Sequence, residues 1–326
     1  LKRASDMGIH MVGIGLFYAQ GYFNQRLDAN GLQQEIYSET KVEHLPLERV
    51  PGSDGRPLLV RVETRGSSIA VALWKARVGR ATLFLLDSDV PENQEADRSL
   101  TGRLYGGDIR QRIAQELILG VGGLRALNAM GIAPSILHLN EGHSAFAVLE
   151  MARQEMLSDG IGFHEAIRRA GLRTVFTSHT PIQAGHDRFE PELMEHTLGA
   201  LREKLGISSD ELLALGRVNP ADRNEFFCMT VLGLKTARKS NAVSSYHGHV
   251  TRKMWKDLWH GRPESEIPIG QITNGVHVLS WIAPPMAQLY DRYLGPDWQR
   301  GVCLPKTWMG IDAVQDEELW EVHQTI

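Results

Sequence analysis

Two short segments of this sequence combine side chains that could bind or activate a ligand. The first, ILHLNEGHSAF over residues 136–146, places His138, Asn140, Glu141 and His143 directly after an apolar run. Imidazole, carboxylate and amide groups can ligate a metal ion, transfer protons or hydrogen-bond a polar ligand. The spacing of these four residues along the chain indicates which of the three chemistries the segment favours.

The spacing argues against a zinc site in this segment. Zinc hydrolases with an HExxH or HxxEH motif present both histidines from one helix face. Here the order is HxxExH, and Gly142 falls between a predicted strand that carries His138 and a predicted helix that begins near His143. We therefore expect no metal, with His138 in the core and with Asn140 and Glu141 either capping the helix or lining a polar-ligand loop.

The second segment, FTSHTPIQAGHDRF over residues 176–189, has the same pattern of a strand followed by polar residues. A predicted buried strand delivers Ser178, His179 and Thr180 to a loop. Ser178 directly precedes His179 and the sequence has no G-x-S-x-G elbow, so the segment does not set up a nucleophilic triad. Neutral hydroxyl and imidazole groups instead suit a ligand that is rich in hydroxyl groups.

Arg112 is a candidate for binding an anion. In DIRQRIAQEL, residues 108–117, it lies four residues from both Asp108 and Glu116 on a predicted helix. Such pairs are usually modest surface ion pairs, and the sequence favours that interpretation over an arginine that faces an anion in a cleft. The nearby GVGGL, residues 120–124, lies inside a helical run rather than after a strand, so it does not predict a dinucleotide site.

Composition narrows the class of protein. The 326 residues are 42% hydrophobic and 23% charged with a net charge of −4, which is ordinary for a soluble globular protein. The sequence has neither the basic stripe that a nucleic-acid partner requires nor an apolar run long enough to span a membrane. Cys228 and Cys303 are far apart, so we expect no disulfide and a cytoplasmic location. Because the chain begins at Leu1, inside a predicted helix, we expect it to be a piece of a longer polypeptide.

The predicted elements alternate between strands and helices. Strands are predicted over 10–18, 135–139, 173–180 and 267–276, antiparallel strands over 58–87, and helices over 109–130, 142–157, 166–170, 191–205, 209–215 and 224–239. This alternation indicates an α/β fold with a mostly parallel sheet and an antiparallel insertion. Polar residues at 140–143, 178–180 and 273–274 follow strands, and ligands of open parallel sheets bind beyond the carboxyl ends of the strands. These polar residues therefore predict one ligand cleft. The polar helix predicted within 239–255 would border the same cleft.

Six segments of the chain occur in the order found in one enzyme family. They are ASDMGIHMVGIGLFYAQGYFNQ, LYGGDIRQRIAQELILG, HLNEGHSAF, FTSHTPIQAGHDRF, KSNAVSSYHGHVTRKMW and QITNGVHVLSW, and LWEVH near the end also fits. On these motifs the sequence resembles the α-glucan phosphorylases, a family that includes glycogen, starch and maltodextrin phosphorylases. It is most similar to a bacterial branch.

The resemblance implies an activity shared between two Rossmann-like lobes of the GT-B type. The family cleaves α-1,4-glucans with phosphate and releases glucose 1-phosphate. Residues 1–280 would be most of the N-terminal glucan-binding lobe, and residues 281–326 would begin the connection to a C-terminal lobe. That lobe carries pyridoxal phosphate on a lysine whose motif has no counterpart here, so this chain is expected to be inactive alone. The implied partners are the glucan, phosphate and the C-terminal lobe, and the resemblance also allows a homodimer.

The resemblance assigns roles to single residues at the reacting glucose. His179 matches the histidine whose ring and backbone carbonyl contact that glucose, and Asn274 matches the asparagine that binds its 6-hydroxyl group. These two are the implied catalytic residues. Thr180 supports the loop, and Val243 lies near the sugar.

Further residues are implied along the glucan side of the cleft. Asn140, Glu141 and His143 match a segment that lines it, and Arg112 matches an arginine of a mobile gate-loop region. Muscle-type enzymes have Asp–Thr where this chain has Glu141–Gly142, so the carboxylate is kept but lengthened.

Two other functions stay open on the sequence. A nucleotide-sugar glycosyltransferase, such as a starch or glycogen synthase, shares the two-lobe architecture and would need its own donor-binding motifs downstream. A non-catalytic carbohydrate-binding domain would use the same polar loops without any reaction.

Overall fold

The computed structural model describes residues 1–104 and 106–326, which divide into two compact units. The larger unit holds Leu1 and Arg3–Asn274, and the smaller one holds Lys2 and Gly275–Ile326. Tyr105, within the LYGGD motif, lies outside the described residues. Every predicted site residue belongs to the larger unit.

The strands and helices follow the predicted alternation. The strands of the described residues are β1 Val12–Leu16, β2 Asn24–Leu27, β3 Gln33–Ile36, β4 Leu47–Arg49, β5 Leu59–Glu63, β6 Ser68–Val78, β7 Ala81–Asp87, β8 Leu137–Asn140, β9 Thr174–Ser178, β10 Arg188–Phe189, β11 Phe227–Cys228, β12 Lys239–Ala242 and β13 Ile269–Gln271. The helices are α1 Lys2–Asp6, α2 Glu95–Arg98, α3 Ile109–Leu117, α4 Gly123–Ala129, α5 Phe146–Asp159, α6 Phe163–Leu172, α7 Pro191–Leu205, α8 Ser209–Leu215, α9 Met229–Thr236, α10 Ser245–Met254, α11 Pro284–Leu294 and α12 Asp316–Gln324. Among these described helices, none has both the length and the apolar character needed to cross a bilayer.

A parallel sheet positions the predicted site loops. Within the described residues its strand order is β13-β12-β9-β8, and every pairing is parallel. The last row that spans all four strands aligns Gly270, Asn241, Thr177 and Asn140. Because parallel strands end at the same edge, the segments that follow these four residues emerge side by side, about 4.8 Å apart. The mixed α/β prediction is confirmed.

The predicted antiparallel region builds a second sheet. β6 pairs with β7 on one side and with both β4 and β5 on the other, all antiparallel. β7 also pairs in parallel with β1, so β1 joins this mixed sheet rather than the parallel one. The apolar run Ile69–Leu73 at the start of β6 is buried, which explains why this long strand lies at the sheet's centre.

One predicted helix was wrong in its bounds. The stretch 224–239 contains β11, then α9, then the first residue of β12. The polar residues from Lys239 onward suggested a helix, but they form a central strand bonded on both sides to β9 and β13. The polar Asn241 is accommodated there because its amide oxygen accepts a hydrogen bond from Thr177 at 3.0 Å. Tertiary pairing thus overrides local propensity. The exposed β2–β3 hairpin was not predicted.

The glycine interruption predicted within 109–130 is confirmed as a π turn. Ile118–Gly122 adopts π-helical bonding between α3 and α4. Gly120 lies against the start of α5, where an added Cβ would stand 2.8 Å from the backbone nitrogen of Ala147. The absence of a side chain therefore allows the two helices to approach closely.

We predict that Gly120→Ala lowers the free energy of unfolding by about 1–3 kcal/mol, because backbone on the facing helix cannot yield easily. Gly122→Ala is the matched control in the same turn. Its Cβ would meet only a methyl group of Val62 at 3.3 Å and one of Ile118 at 3.9 Å. Urea unfolding of both variants measures the difference, and equal losses would contradict the assigned contact.

Candidate functional site

The predicted site residues fall into three sets at the carboxyl edge of the parallel sheet and beside it. The sets are Asn140, Glu141, His179 and Thr180; Val243 and Asn274; and Arg112 and His143. The first two sets follow neighbouring strands, and the third joins α3 to the segment after β8. Their roles remain predictions.

A chain of polar side chains crosses the sheet just below its edge. The imidazole Nε2 of His138 lies 2.8 Å from the hydroxyl of Thr177, which donates to Asn241. Side chains of β8, β9 and β12 are thereby joined in one line. The core position predicted for His138 was wrong, since its side chain is exposed on β8 and burial favours the strand's alternate residue, Leu139.

His179 is held by two consecutive residues at the end of β8. Its ring Nε2 lies 2.7 Å from the amide oxygen of Asn140. Its backbone N–H donates to a carboxylate oxygen of Glu141, and the same oxygen accepts the N–H of Thr180 at 2.6 Å. The loop after β9 is therefore attached to β8 through both backbone and side chain. Glu141 does not cap the following helix with its side chain.

Val243 and Asn274 form the second set. After the last paired residues, the N–H of Ile272 donates to the carbonyl of Ala242, and that of Asn274 donates to the carbonyl of Val243 at 3.1 Å. The segment after β13 thus follows the segment after β12 beyond the sheet. The Asn274 side chain is exposed, while Val243 is half-buried. The asparagine amide is accessible to a ligand at this edge.

Four charged or titratable residues form a cluster beside the first set. Arg112 donates to Asp187 at 3.0 Å and lies 3.5 Å from the carboxylate of Glu116. His143 Nδ1 lies 3.1 Å from an Asp187 oxygen and 2.7 Å from an Arg112 nitrogen. Only one of these two hydrogen bonds forms at a time, because Nδ1 carries either a proton or a lone pair.

Burial and proximity shift the acid–base behaviour of this cluster. Complete burial raises the pKa of the Glu116 carboxyl to about 8. Burial disfavours the charged form of His143, but hydrogen bonds with Asp187 and Glu116 outweigh it and raise its pKa to about 9. Burial also opposes ionisation of Asp187, yet bonds with His143, Glu116 and Arg112 hold its pKa well below the usual range. At neutral pH the cluster therefore keeps one carboxylate charged and the other carboxyl protonated.

The potential metal-ligating residues that lie close together in the structure differ from those that the first segment suggested. His138, Glu141 and His143 have separate partners, whereas ligand atoms of Glu116, His143 and Asp187 lie within 4.8 Å of one another. The guanidinium of Arg112 already supplies positive charge there. The arrangement of charges is thus accounted for without an ion.

The modest surface pair predicted for Arg112 and Glu116 was wrong. The Glu116 side chain is only 2% exposed, so the pair lies in the interior. Asp108, the other proposed partner, instead caps α3 by accepting the N–H groups of Arg110 and Gln111. Amphipathic spacing places Glu116 on the same helix face as Arg112, but it does not say that another segment covers that face.

Asp187 was not predicted as a site residue. It lies in the second quoted segment, eight residues after His179, with no repeated spacing to mark it. The signal that could have marked it is its charge, because Asp187 is the one carboxylate between His179 and Arg188 in the sequence. Its contact with His143 depends on how the loop folds back, which local sequence does not specify.

The chain is similar to curated α-glucan phosphorylases along its whole length. It is 42% identical over 323 residues to the maltodextrin phosphorylase of Thermococcus litoralis, covering 99% of this chain. It is 39% identical over 338 residues to the glycogen phosphorylase of Mycobacterium tuberculosis, covering 100% of this chain. The glycogen phosphorylase of Aquifex aeolicus is 33% identical over 323 residues, again across 99% of the chain. The sequence matches no protein-family model.

These matches confirm the resemblance to the phosphorylases that the motifs indicated. The chain spans 38% of the length of the first two relatives and 46% of the third. The similarity therefore concerns this part of those longer proteins.

The shifted pKa values of Glu116 and His143 predict a stability that falls with rising pH. Both lie above the ordinary values of 4.5 and 6.5, so the folded state binds more protons than the unfolded state between about pH 5 and pH 9. In that window the free energy of unfolding decreases as pH increases. Glu116→Gln removes one of the two titrations and makes this slope shallower.

Urea unfolding at pH 6 and pH 8.5 measures the slope. The control is Glu317→Gln, which removes an exposed carboxylate on α12. An unchanged slope in Glu116→Gln would show that this carboxyl does not carry the proton assigned to it.

Proposed function

We propose that this chain, which is similar throughout to maltodextrin and glycogen phosphorylases, is the glucan-binding part of an α-1,4-glucan phosphorylase. The complete polypeptide would transfer a terminal glucosyl residue to inorganic phosphate and release glucose 1-phosphate. The observation that carries this proposal is the 33–42% identity over 99–100% of the chain. The neutral polar loops at one sheet edge are consistent with a sugar ligand.

The proposal assigns this chain to the N-terminal Rossmann-like lobe of a GT-B type transferase. The parallel sheet with helices between its strands supports that assignment. Residues 1–280 would form the incomplete lobe, and residues 281–326 would start the connection towards the C-terminal lobe. Further partners would be phosphate, that second lobe and, in some assemblies, a second copy of the polypeptide. The proposed location is the cytoplasm, and Cys228 is buried and forms no disulfide.

Glucosyl transfer needs polar groups that bind the sugar more tightly as its anomeric carbon becomes cationic. In our proposal, the ring and carbonyl of His179 and the amide of Asn274 supply these contacts. Thr180 and Val243 border the same space. Because the Asn140 amide fixes the His179 ring, the imidazole is oriented before the sugar binds.

Asn140, Glu141, His143 and Arg112 would line the path of the remaining glucan chain. His143 is about one-third exposed, while Arg112 is mostly covered. Of the two, His143 presents more surface to a ligand. Arg112 would act by holding Asp187 in place, which in turn bonds His143.

Pyridoxal phosphate does not fit the residues of this site. The group attaches to a lysine, and the segments 140–143, 178–187, 243–247 and 272–274 contain none. Lys235, which is exposed, donates to the carbonyls of Ala214 and Arg217 instead. In this proposal the cofactor belongs to the C-terminal lobe, and no step described for this chain passes through it.

The direct test is phosphate-dependent release of glucose 1-phosphate from maltodextrin by the complete polypeptide. Release that requires phosphate supports the proposal. Glucosyl transfer only from a nucleotide sugar would favour a synthase-type glycosyltransferase. Glucan binding without either reaction would favour a carbohydrate-binding domain.

We predict that His179→Ala or Asn274→Ala in the complete polypeptide lowers turnover at least tenfold, a loss of about 1.4 kcal/mol or more of transition-state stabilisation. The physical reason is the loss of hydrogen bonds that form most strongly in the transition state. Initial rates of glucose 1-phosphate release measure the effect.

His164→Ala is the control for the histidine variant, because the His164 side chain is 82% exposed on α6. Near-parental rates in both site variants would overturn the assignment of His179 and Asn274. A similar loss in the control would point to a general effect on folding.

A further inference from the structure

We propose that Glu141 is a positioning residue, which aims the backbone carbonyl of His179 at the reacting glucose. This inference rests on the proposed function, and it goes beyond the role in glucan binding implied for Glu141 by resemblance. It depends on three features of the structure: a strained backbone at Glu141, a buried carboxylate, and the geometry of the peptide bond that this carboxylate holds.

The backbone of Glu141 has a conformation that is essentially reserved for glycine. Its φ is 71° and its ψ is 178°, and among the described residues it is the one non-glycine residue with positive φ. A side chain in this region costs about 1–3 kcal/mol, so it persists where surrounding structure requires it. Glycine would remove that cost, and the sequence nevertheless has glutamate here.

The flanking residues fix this conformation. The N–H of Glu141 donates to the carbonyl of Thr177 at 2.9 Å, which continues the pairing of β8 with β9. Gly142 packs on the start of α9, where an added Cβ would stand 3.0 Å from both the Cβ of Met229 and the nitrogen of Thr230. The chain must turn sharply between these two points, and the turn directs the Glu141 side chain towards the loop after β9.

The Glu141 carboxylate is committed to that loop. The residue is 7% exposed, and one oxygen accepts the N–H groups of both His179 and Thr180. Two N–H donors on one carboxylate oxygen make strong, charge-assisted bonds. A carboxylate held in this way is poorly placed to take a proton from a ligand, so we assign it no acid–base step.

Because the peptide bond is planar, the hydrogen bond from the Thr180 N–H to Glu141 also fixes the direction of the His179 carbonyl. The N–H of Thr180 and the carbonyl of His179 belong to one planar trans peptide, in which they point in opposite directions. When Glu141 holds the N–H on the buried side, the carbonyl must face away from Glu141. Asn140, the last residue of β8, holds the ring of the same histidine, so it and the residue that follows it orient both polar groups of His179. Such preorganised dipoles act most strongly on charge that develops in the transition state.

Variants of Glu141 that change either the length or the charge of its side chain distinguish positioning from a purely electrostatic role. Glutamine keeps the length and an oxygen that can accept both N–H groups, whereas aspartate keeps the charge but is one methylene shorter. We therefore expect Glu141→Gln in the complete polypeptide to retain most of its turnover. Glu141→Asp and Glu141→Gly should each lose at least about tenfold in kcat with little change in KM for maltodextrin.

The glycine variant separates positioning from a merely structural role. It relieves the backbone strain, which offsets the lost hydrogen bonds, so its melting temperature should stay close to that of the parent while kcat falls. Amide hydrogen exchange over residues 177–183 gives a second readout. Exchange should quicken in the glycine and aspartate variants and stay near parental in the glutamine variant. Glu92→Gly is the control, because it removes an exposed carboxylate from a loop away from the site.

The outcomes separate this inference from the proposed function. A parent that releases no glucose 1-phosphate would overturn both. An active parent whose glycine and aspartate variants keep parental kcat would overturn the positioning role alone. The positioning role would equally fail if the glutamine variant loses as much kcat as the aspartate variant, or if exchange over 177–183 is unchanged in the aspartate variant.

Discussion

Parallel pairing of β8, β9, β12 and β13 is the constraint on which the rest of the site depends. Hydrogen bonding between parallel strands fixes their direction and register, and this brings the four following segments to one edge. None of those segments would meet another through local sequence alone. The row of Asn140, Thr177 and Asn241 shows how closely register and site are linked, because a shift of one residue would turn these side chains to the opposite face.

Much of this arrangement could be predicted from the sequence. Apolar runs before His138 and His179 marked the strands, and the polar residues after them marked the edge where we propose that a ligand binds. The bounds of α7 and α8 were also predicted correctly, because Pro191 begins one helix and Ser208 caps the other. These signals are local, so they can be identified from the sequence without knowledge of the tertiary structure.

The remaining features depend on contacts between distant segments. β12 was missed because its polar residues are tolerated only through pairing on both sides. The contact between Arg112 and Glu116 was placed on the surface, since helical spacing does not show that the segments carrying His143 and Asp187 cover it. The strained backbone of Glu141 was equally invisible, because glutamate at that position carries no turn signal.

The charge balance of the cluster limits what this part of the molecule can bind. Arg112 is the cation among the groups that contact His143, and its guanidinium already bonds Asp187 in a largely covered position. Moving it to a phosphate ligand would deprive the Asp187 carboxylate of one of its charged partners, which is costly away from water. The loops at the sheet edge offer mainly imidazole, amide and hydroxyl groups. Under the proposed function these residues would therefore suit a sugar, and the positive charge that a phosphate group requires would come from outside this cluster.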